Sequence, residues 1–319
     1  MRRAAALAFL PLIAAAAIAG CGSSSSSSPA AVSSSDSYKS VTVSGAFNKA
    51  PTVKIPKVKG TGDLYTKTVI QGNGAKLTAS DGMVGNYVAY DWSGKTSKLL
   101  GSSYTQGTQS LFVGQLIPGL EKALVGQKLG SRVLAVIPPK DAFGSKGQPQ
   151  EGIGASDTLV FVVDMDSTFA TTGVPGTQAA AGAGLPTVTP PAANSTAGPT
   201  IKVATSTTPP KTLQVKPLIK GKGAVVKKGQ NLAVQYTGVI WRTGKVFDSS
   251  WSRNTPLTTV IGAGQVIKGW DTGLVGQTVG SRVLLVIPPA DGYGSAGAAQ
   301  AGIKGTDTLV FVVDILAAV

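Results

Sequence analysis

The chain contains part of itself twice. Leu124 to Met165 returns as Leu274 to Ile315 after an ungapped shift of 150 residues, with about two-thirds of the positions identical. LVGQKLGSRVLAVIPPKDAFGS pairs with LVGQTVGSRVLLVIPPADGYGS, and SDTLVFVVDM with TDTLVFVVDI. Looser matches precede it: Pro51-Thr52-Val53-Lys54 recurs as Pro199-Thr200-Ile201-Lys202, and Gly72-Asn73-Gly74 as Gly221-Lys222-Gly223. A repeat of roughly 120 residues is domain-sized, far longer than a solenoid unit. A chain of 319 residues accommodates two such domains. Whatever one copy folds into, the other must fold into as well.

That fold is legible as mainly β. Charged residues make up only 14% of the chain, while 41 Gly and 19 Pro supply turns. In the second copy, Asn231 to Gly238, Lys245 to Ser249, Leu257 to Ile261, Ser281 to Pro288 and Thr308 to Leu316 read as strands from their β-branched and aromatic content. Thr243-Gly244 and Ala263-Gly264 mark turns. Between Val266 and Leu274, the spacing of Val266, Ile267, Trp270 and Leu274 predicts a short helix with one apolar face. An antiparallel sheet curved around that helix buries all of these in one core. The expected class is therefore α+β, with two domains each built as a curved antiparallel sheet around one short helix.

Composition removes whole classes of chemistry. There is no His, which excludes Ser-His-Asp and Cys-His nucleophile systems and removes the commonest metal ligand. A single Cys excludes disulfide frameworks and thiolate zinc sites. Nothing indicates a cofactor or a metal, and no nucleophile motif with an oxyanion loop is present. The formal charge of +14 is spread over singly scattered Lys and Arg with no recognition-helix pattern, so no nucleic acid partner is expected. General attraction to an anionic membrane or cell-wall surface suits the charge better.

The N-terminus reads as an address. Met1, Arg2 and Arg3 precede an apolar run from Ala4 to Gly20 that reaches Cys21 through Ile18-Ala19-Gly20. This resembles a bacterial lipoprotein signal, which implies cleavage after residue 20 and a lipid on Cys21; a plain secretory signal or membrane anchor is the alternative. Residues 21–50, led by the Ser-rich stretch to Ser35, read as a tether. The two copies are then residues 51–166 and 199–319. Residues 167–198, rich in Ala, Gly, Thr and Pro and uncharged, read as an extended linker, with an ordered connection as the alternative. The expected location is the extracytoplasmic face of a bacterial cell membrane, lipid-anchored.

In the second copy, Gln235-Tyr236-Thr237-Gly238, Gly244 to Ser250, Gln265-Val266-Ile267-Lys268-Gly269-Trp270, Ile287-Pro288-Pro289, Gly292-Tyr293-Gly294 and Thr308 to Phe311 follow one another at set spacing. Together they resemble FKBP-type peptidyl-prolyl cis-trans isomerases over Leu213 to Leu316. The resemblance implies that Trp270 floors a proline pocket, with Tyr236, Phe247 and Phe311 as walls, Val266 and Ile267 at the rim and Ile303 on the loop side. It implies that the Ile267 backbone N–H anchors a ligand carbonyl, that Tyr293 offers its hydroxyl, and that Asp248 sits near the rotating carbonyl, oriented by Tyr236 and Arg253. Leu257 stands where the family commonly has an aromatic, and Gln265 where an acid is common. From composition alone Phe247, Phe311, Val266 and Ile267 read first as core and Trp270 as packing, Tyr236 and Tyr293 as ordinary amphipathic residues, Asp248 as a turn or cap residue, and Arg253 as a solvated charge.

The first copy departs further. Leu100-Gly101-Ser102-Ser103 replaces Phe247-Asp248-Ser249-Ser250, Leu120 replaces Trp270 and Phe143 replaces Tyr293, while Tyr90, Leu116, Ile117 and Phe161 read as retained wall residues. The expectation is an isomerase acting on X-Pro segments of unfolded or newly exported proteins, active mainly in its second domain, with binding of the family's macrolide inhibitors weakened by Leu257, Gln265 and the small, Ala-rich loop Ser295 to Gly302. The alternative is a non-catalytic chaperone or proline-segment binding lipoprotein.

Overall fold

The computed structural model describes residues 37–94, 96–192 and 195–319. The signal-like segment, Cys21 and the Ser-rich stretch to Ser35 lie outside the described residues. The chain divides into two units between Thr168 and Phe169.

The first unit contains β1 (Thr42–Ser44), β2 (Thr52–Lys54), β3 (Tyr65–Ile70), β4 (Asp81–Ser93), β5 (Thr96–Ser102), β6 (Gln109–Phe112), α1 (Pro118–Leu124), β7 (Arg132–Ile137) and all but the last two residues of β8 (Thr158–Ala170). The second contains β9 (Thr187–Thr189), β10 (Thr200–Lys202), β11 (Gln214–Ile219), β12 (Asn231–Ile240), β13 (Val246–Ser249), β14 (Leu257–Val260), α2 (Lys268–Leu274), β15 (Arg282–Ile287) and β16 (Leu309–Ala318). The strand order is β3-β7-β8-β4-β5 in the first sheet and β11-β15-β16-β12-β13 in the second, with β6 and β14 also pairing with β4 and β12. The pairs of the second sheet are all antiparallel. Each unit thus sets one curved antiparallel sheet against one seven-residue helix.

In the second unit the strands alternate between two buried faces. Val283, Leu285 and Ile287 of β15, with Leu309, Phe311, Val313 and Ile315 of β16, pack with Trp270 and Leu274 of α2. Gly269 lets the helix approach closely, since a Cβ there would lie 2.6 Å from the Ile287 side chain. The opposite face carries Leu284, Val286, Val310 and Val312. It is covered by residues ahead of β11: Val188 of β9 and Ile201 of β10 are buried on it, with Ala181, Leu185 and Val203 beside them. The first unit repeats this, with Tyr38, Val41, Val43, Val53 and Ile55 covering Leu134, Val136, Val160 and Val162.

The outer cover explains two differences from the sequence reading. Composition predicts a tether through residue 50 and an extended linker over 167–198. Instead, β1 pairs with β2 and β9 with β10, and both hairpins lie on their own sheets. The physical reason is that β7, β8, β15 and β16 are apolar on both faces, and a sheet of that kind cannot leave either face in water.

Candidate active site

At the open side of the second sheet, between its inner face and α2, lies a cavity of about 400 Å³ lined by Tyr236, Phe247, Asp248, Leu257, Gly264, Gln265, Val266, Ile267, Trp270, Tyr293 and Phe311. β12 contributes Tyr236, β13 Phe247 and Asp248, β14 Leu257, β16 Phe311, and α2 Trp270.

The rings form a connected cage. Trp270, only 3% exposed, meets Tyr236 edge to face at 5.2 Å between centroids and Phe311 at 5.3 Å. Phe247 meets Phe311 edge to face at 5.5 Å. Each such pair stabilises by about 0.5–1.5 kcal/mol beyond burial, so the cage holds its shape without a ligand. Gly238 makes room for it: a Cβ there would lie 2.7 Å from Phe247 and 2.8 Å from Phe311. The indole N–H of Trp270 is buried without a hydrogen-bond partner among the described residues, a cost that folding alone gives no reason to bear.

The polar part is compact. The Tyr236 hydroxyl donates to Asp248 Oδ2, and Arg253 Nη1 donates to Asp248 Oδ1. Arg253 Nη2 also donates to the Tyr236 hydroxyl at 3.0 Å, and its guanidinium stands 6.0 Å from the Tyr236 ring centre. Burial pushes the Asp248 carboxyl up, but the hydrogen bonds from Tyr236 and Arg253 and the Arg253 charge outweigh it and hold the group below its ordinary value. Burial, then the bond to Asp248, push the Tyr236 hydroxyl up to about 12. At neutral pH the pair is a phenol donating to a carboxylate. Below this, the Tyr236 N–H donates to Ser250 Oγ at 2.7 Å, and Ser250 Oγ donates to Gln235, tying β12 to the turn after β13.

Of the residues singled out in the second copy, the structure gathers Tyr236, Phe247, Asp248, Leu257, Val266, Ile267, Trp270, Tyr293 and Phe311 around the cavity. Tyr293, 41% exposed, stands at its mouth. Arg253 is behind Asp248 and not part of the lining, and Ile303 is buried in the core. Gly264 and Gln265 line the cavity without having been assigned to it; the turn signal at Ala263-Gly264 marked the loop and not its role.

The first copy lacks this constellation. Gly101 pairs with Ala89 as Asp248 pairs with Gly238, so the carboxylate position holds no side chain. Leu120 stands in α1 where α2 has Trp270. The tyrosine needs correcting: Tyr87, not Tyr90, is the counterpart of Tyr236. Its N–H donates to Ser103 Oγ at 2.9 Å, and that hydroxyl donates to Asn86, repeating the Tyr236-Ser250-Gln235 arrangement. Tyr90 packs with the outer-face cluster.

A curved sheet around one helix, with an aromatic cage and one ion-paired carboxylate beside it, defines a protein shaped to hold an apolar ring. Residues 79–166 and 223–316, more than half of the chain, match the sequence profile of the FKBP-type peptidyl-prolyl cis-trans isomerases. The chain belongs to that family, and its activity is peptidyl-prolyl cis-trans isomerisation, EC 5.2.1.8. It is similar to a FK506-binding protein of Streptomyces anulatus, 47% identical over 109 residues that make up 34% of this chain and 88% of the relative. A FK506-binding protein of Neisseria meningitidis is 43% identical over 104 residues, 33% of this chain and 94% of the relative. Among solved structures, AtFKBP13 is 36% identical over 34% of this chain and 93% of its own, with a TM-score of 0.32. The family binds proline-containing substrates and macrolides such as FK506.

Proposed function

We propose that the second copy carries the isomerase activity, and that the first keeps the fold as a binding or spacing module. The observation that supports this most is the Tyr236-Asp248-Arg253 cluster beside the Trp270 cage, set against Gly101 and Leu120 in the other copy.

The chemistry suits these groups. The barrier to prolyl rotation, about 18–20 kcal/mol, comes from amide resonance, and no covalent intermediate is needed to lower it. A planar amide is more polar than a twisted one, so a dry aromatic cage favours the twist. Trp270, Phe247 and Phe311 hold the proline ring while the preceding carbonyl turns toward the mouth, where Tyr293 offers a hydroxyl. Asp248, held ionised, acts on the developing charge distribution and is not a base. Its pairing with Tyr236 and Arg253 keeps it aimed.

The clients we propose are X-Pro segments of unfolded or newly exported proteins, met at the extracytoplasmic face of a bacterial membrane to which Cys21 is anchored by lipid. The lipoprotein-like run from Met1 to Cys21 supports that location, and slow X-Pro isomerisation outside the cytoplasm supports the role. The test is NMR exchange spectroscopy of an X-Pro peptide with the full chain, its Asp248→Ala variant and its Trp270→Leu variant. Accelerated exchange that both substitutions reduce supports the reading. Exchange untouched by either moves the activity away from this pocket.

A further inference from the structure

Asp271 lies in the first turn of α2, next to Trp270. An acid at that place usually does no more than face the positive end of its own helix. Here both oxygens are used elsewhere. Oδ1 accepts from the Gly262 N–H at 2.6 Å and Oδ2 from the Gly264 N–H at 2.8 Å.

Both glycines have φ of +74°, a region that side-chain-bearing residues rarely enter. The loop between β14 and α2 therefore follows a path that needs glycine at two places, and a single carboxylate clasps it through two charge-assisted bonds. Gly264 begins the rim of the cavity, and Gln265, Val266 and Ile267 continue it. No atom lies within 4 Å of where a Gly264 Cβ would be, so the rim opens on free space. One short helix thus carries the floor and fixes the height of the rim.

The first copy lacks the clasp. Phe112 pairs with Gly82 where Val260 pairs with Asn231, and only two residues separate Phe112 from Gln115, against four between Val260 and Gln265. The residue after Leu120 is Glu121, in place of Asp271. The longer, clasped loop occurs in the copy that has the aromatic cage and the paired carboxylate.

We propose that Asp271 is a positioning residue for prolyl isomerisation. It touches no substrate, and it holds the loop from Ile261 to Gln265 so that the rim meets the peptide flanking the proline. This inference rests on the reading that the second copy is the active one. A loosened rim weakens binding more than it slows rotation, because the cage and Asp248 are left in place.

The experiment measures kcat and KM for an X-Pro peptide with the full chain carrying Asp271→Ala, Asp271→Glu or Gly264→Ala, and Asp248→Ala as reference. Asp271→Ala is expected to raise KM about five- to tenfold with kcat within about twofold, and Asp271→Glu to recover part of the loss. Gly264→Ala strains the same loop without touching α2 and is expected to raise KM likewise, which covers the case in which Asp271→Ala does not fold. An unchanged KM in a folded Asp271→Ala, or in Gly264→Ala should Asp271→Ala not fold, overturns the proposal. Turnover unaffected by Asp248→Ala overturns the underlying reading, and the clasp with it, by a different signature.

Discussion

Arg282 and Asp314 face each other on β15 and β16, buried and joined by two hydrogen bonds of 2.7 and 2.8 Å. Such a pair survives burial only when its remaining polar atoms are also satisfied. The segment ahead of β11 supplies part of that: the Val174 N–H donates to Asp314 Oδ2 at 3.0 Å, and Arg282 Nη1 donates to Gln178 Oε1 at 3.2 Å. In the first unit Arg132 and Asp164 stand in the same relation, with Arg132 donating to the carbonyls of Gly45 and Lys49 and the Asn48 N–H donating to Asp164. The cover of the outer face therefore completes a buried ion pair in both units.

The cover belongs to the folding unit. Without residues 169–198, Leu284, Val286, Val310 and Val312 lose Val188, Ala181 and Leu185, and Asp314 loses a donor. A fragment of residues 199–319 is expected to aggregate where residues 169–319 stay monomeric, as size-exclusion chromatography would show. Equal solubility of the two would mean that the outer face tolerates water.

Removing one member of the buried pair is worse than removing the cover's contacts to it. Asp314→Ala strands the Arg282 guanidinium and is expected to cost about 3–5 kcal/mol, read from denaturant unfolding of the full chain. Gln178→Ala removes one hydrogen bond to the same guanidinium and is expected to cost about 1–3 kcal/mol. A milder effect for Asp314→Ala than for Gln178→Ala would contradict this ranking.

At the site, Asp248 is held below its ordinary value, so the folded protein keeps the carboxylate as pH falls. The stability it contributes is present above the unfolded value of about 3.9 and is lost only on acidification through the lower folded value. The exchange rate catalysed by the full chain is accordingly expected to stay flat from pH 8 to pH 5. Arg253→Ala removes two of the groups' bonds and brings the acid limb of the profile upward in pH. A profile that bends near neutrality in the unmodified chain would assign the titrating group elsewhere.

The division of labour between copies has its own test. Leu120→Ala and Phe143→Ala alter the first copy where the second has Trp270 and Tyr293. Both are expected to leave catalysed exchange within about twofold of the unmodified chain, while Trp270→Leu lowers it by about tenfold or more. A large loss from either first-copy change would show that this half takes part in turnover.

The inner half of the structure was open to reading because its signals are local. Val266 to Leu274 carries a helical spacing, and Tyr236, Phe247, Trp270 and Phe311 fall at fixed distances within strongly patterned segments. The outer half was hidden because its cover has no periodicity: between Ser167 and Gly198, among the described residues, Pro186 and Val188 alone become buried. The signal for the cover lay in other segments. Val283 to Ile287 and Leu309 to Val313 are apolar without alternation, which in an antiparallel sheet demands a layer on each side. The recurrence of Pro51 to Lys54 at Pro199 to Lys202 pointed the same way, since these runs become β2 and β10. Tyr87 is harder to place for a different reason: the shift of 150 that aligns the later strands becomes 149 in β4, a register set by the Ala89–Gly101 and Gly238–Asp248 pairs and by the repeated Ser103 and Ser250 bonds.

One difference between the copies makes the first unit sensitive to pH. In the second, Asp307 is paired with Arg242 at 2.7 Å, and Ile240 is buried nearby in β12. The same register in the first unit places Ser93 for Arg242 and Asp91 for Ile240, so Asp157, the counterpart of Asp307, faces a carboxyl instead of a guanidinium. Asp91 is 5% exposed, and its Oδ1 has no hydrogen-bond partner among the described residues. Burial first, then the Asp157 charge, push its carboxyl up to about 6, against the partial relief of Lys98. A folded value above the unfolded one means that the native state holds the proton more tightly, so the first unit loses stability as pH rises from about 4 through about 6. The loss amounts to about 2–3 kcal/mol at full ionisation. Hydrogen exchange at the amides of Val160 to Val163, measured in the full chain and corrected for intrinsic rate, is expected to show less protection at pH 7.5 than at pH 5. Asp91→Asn removes the charge, keeps the shape and should flatten that slope. A slope that persists in Asp91→Asn would place the responsible proton on another group.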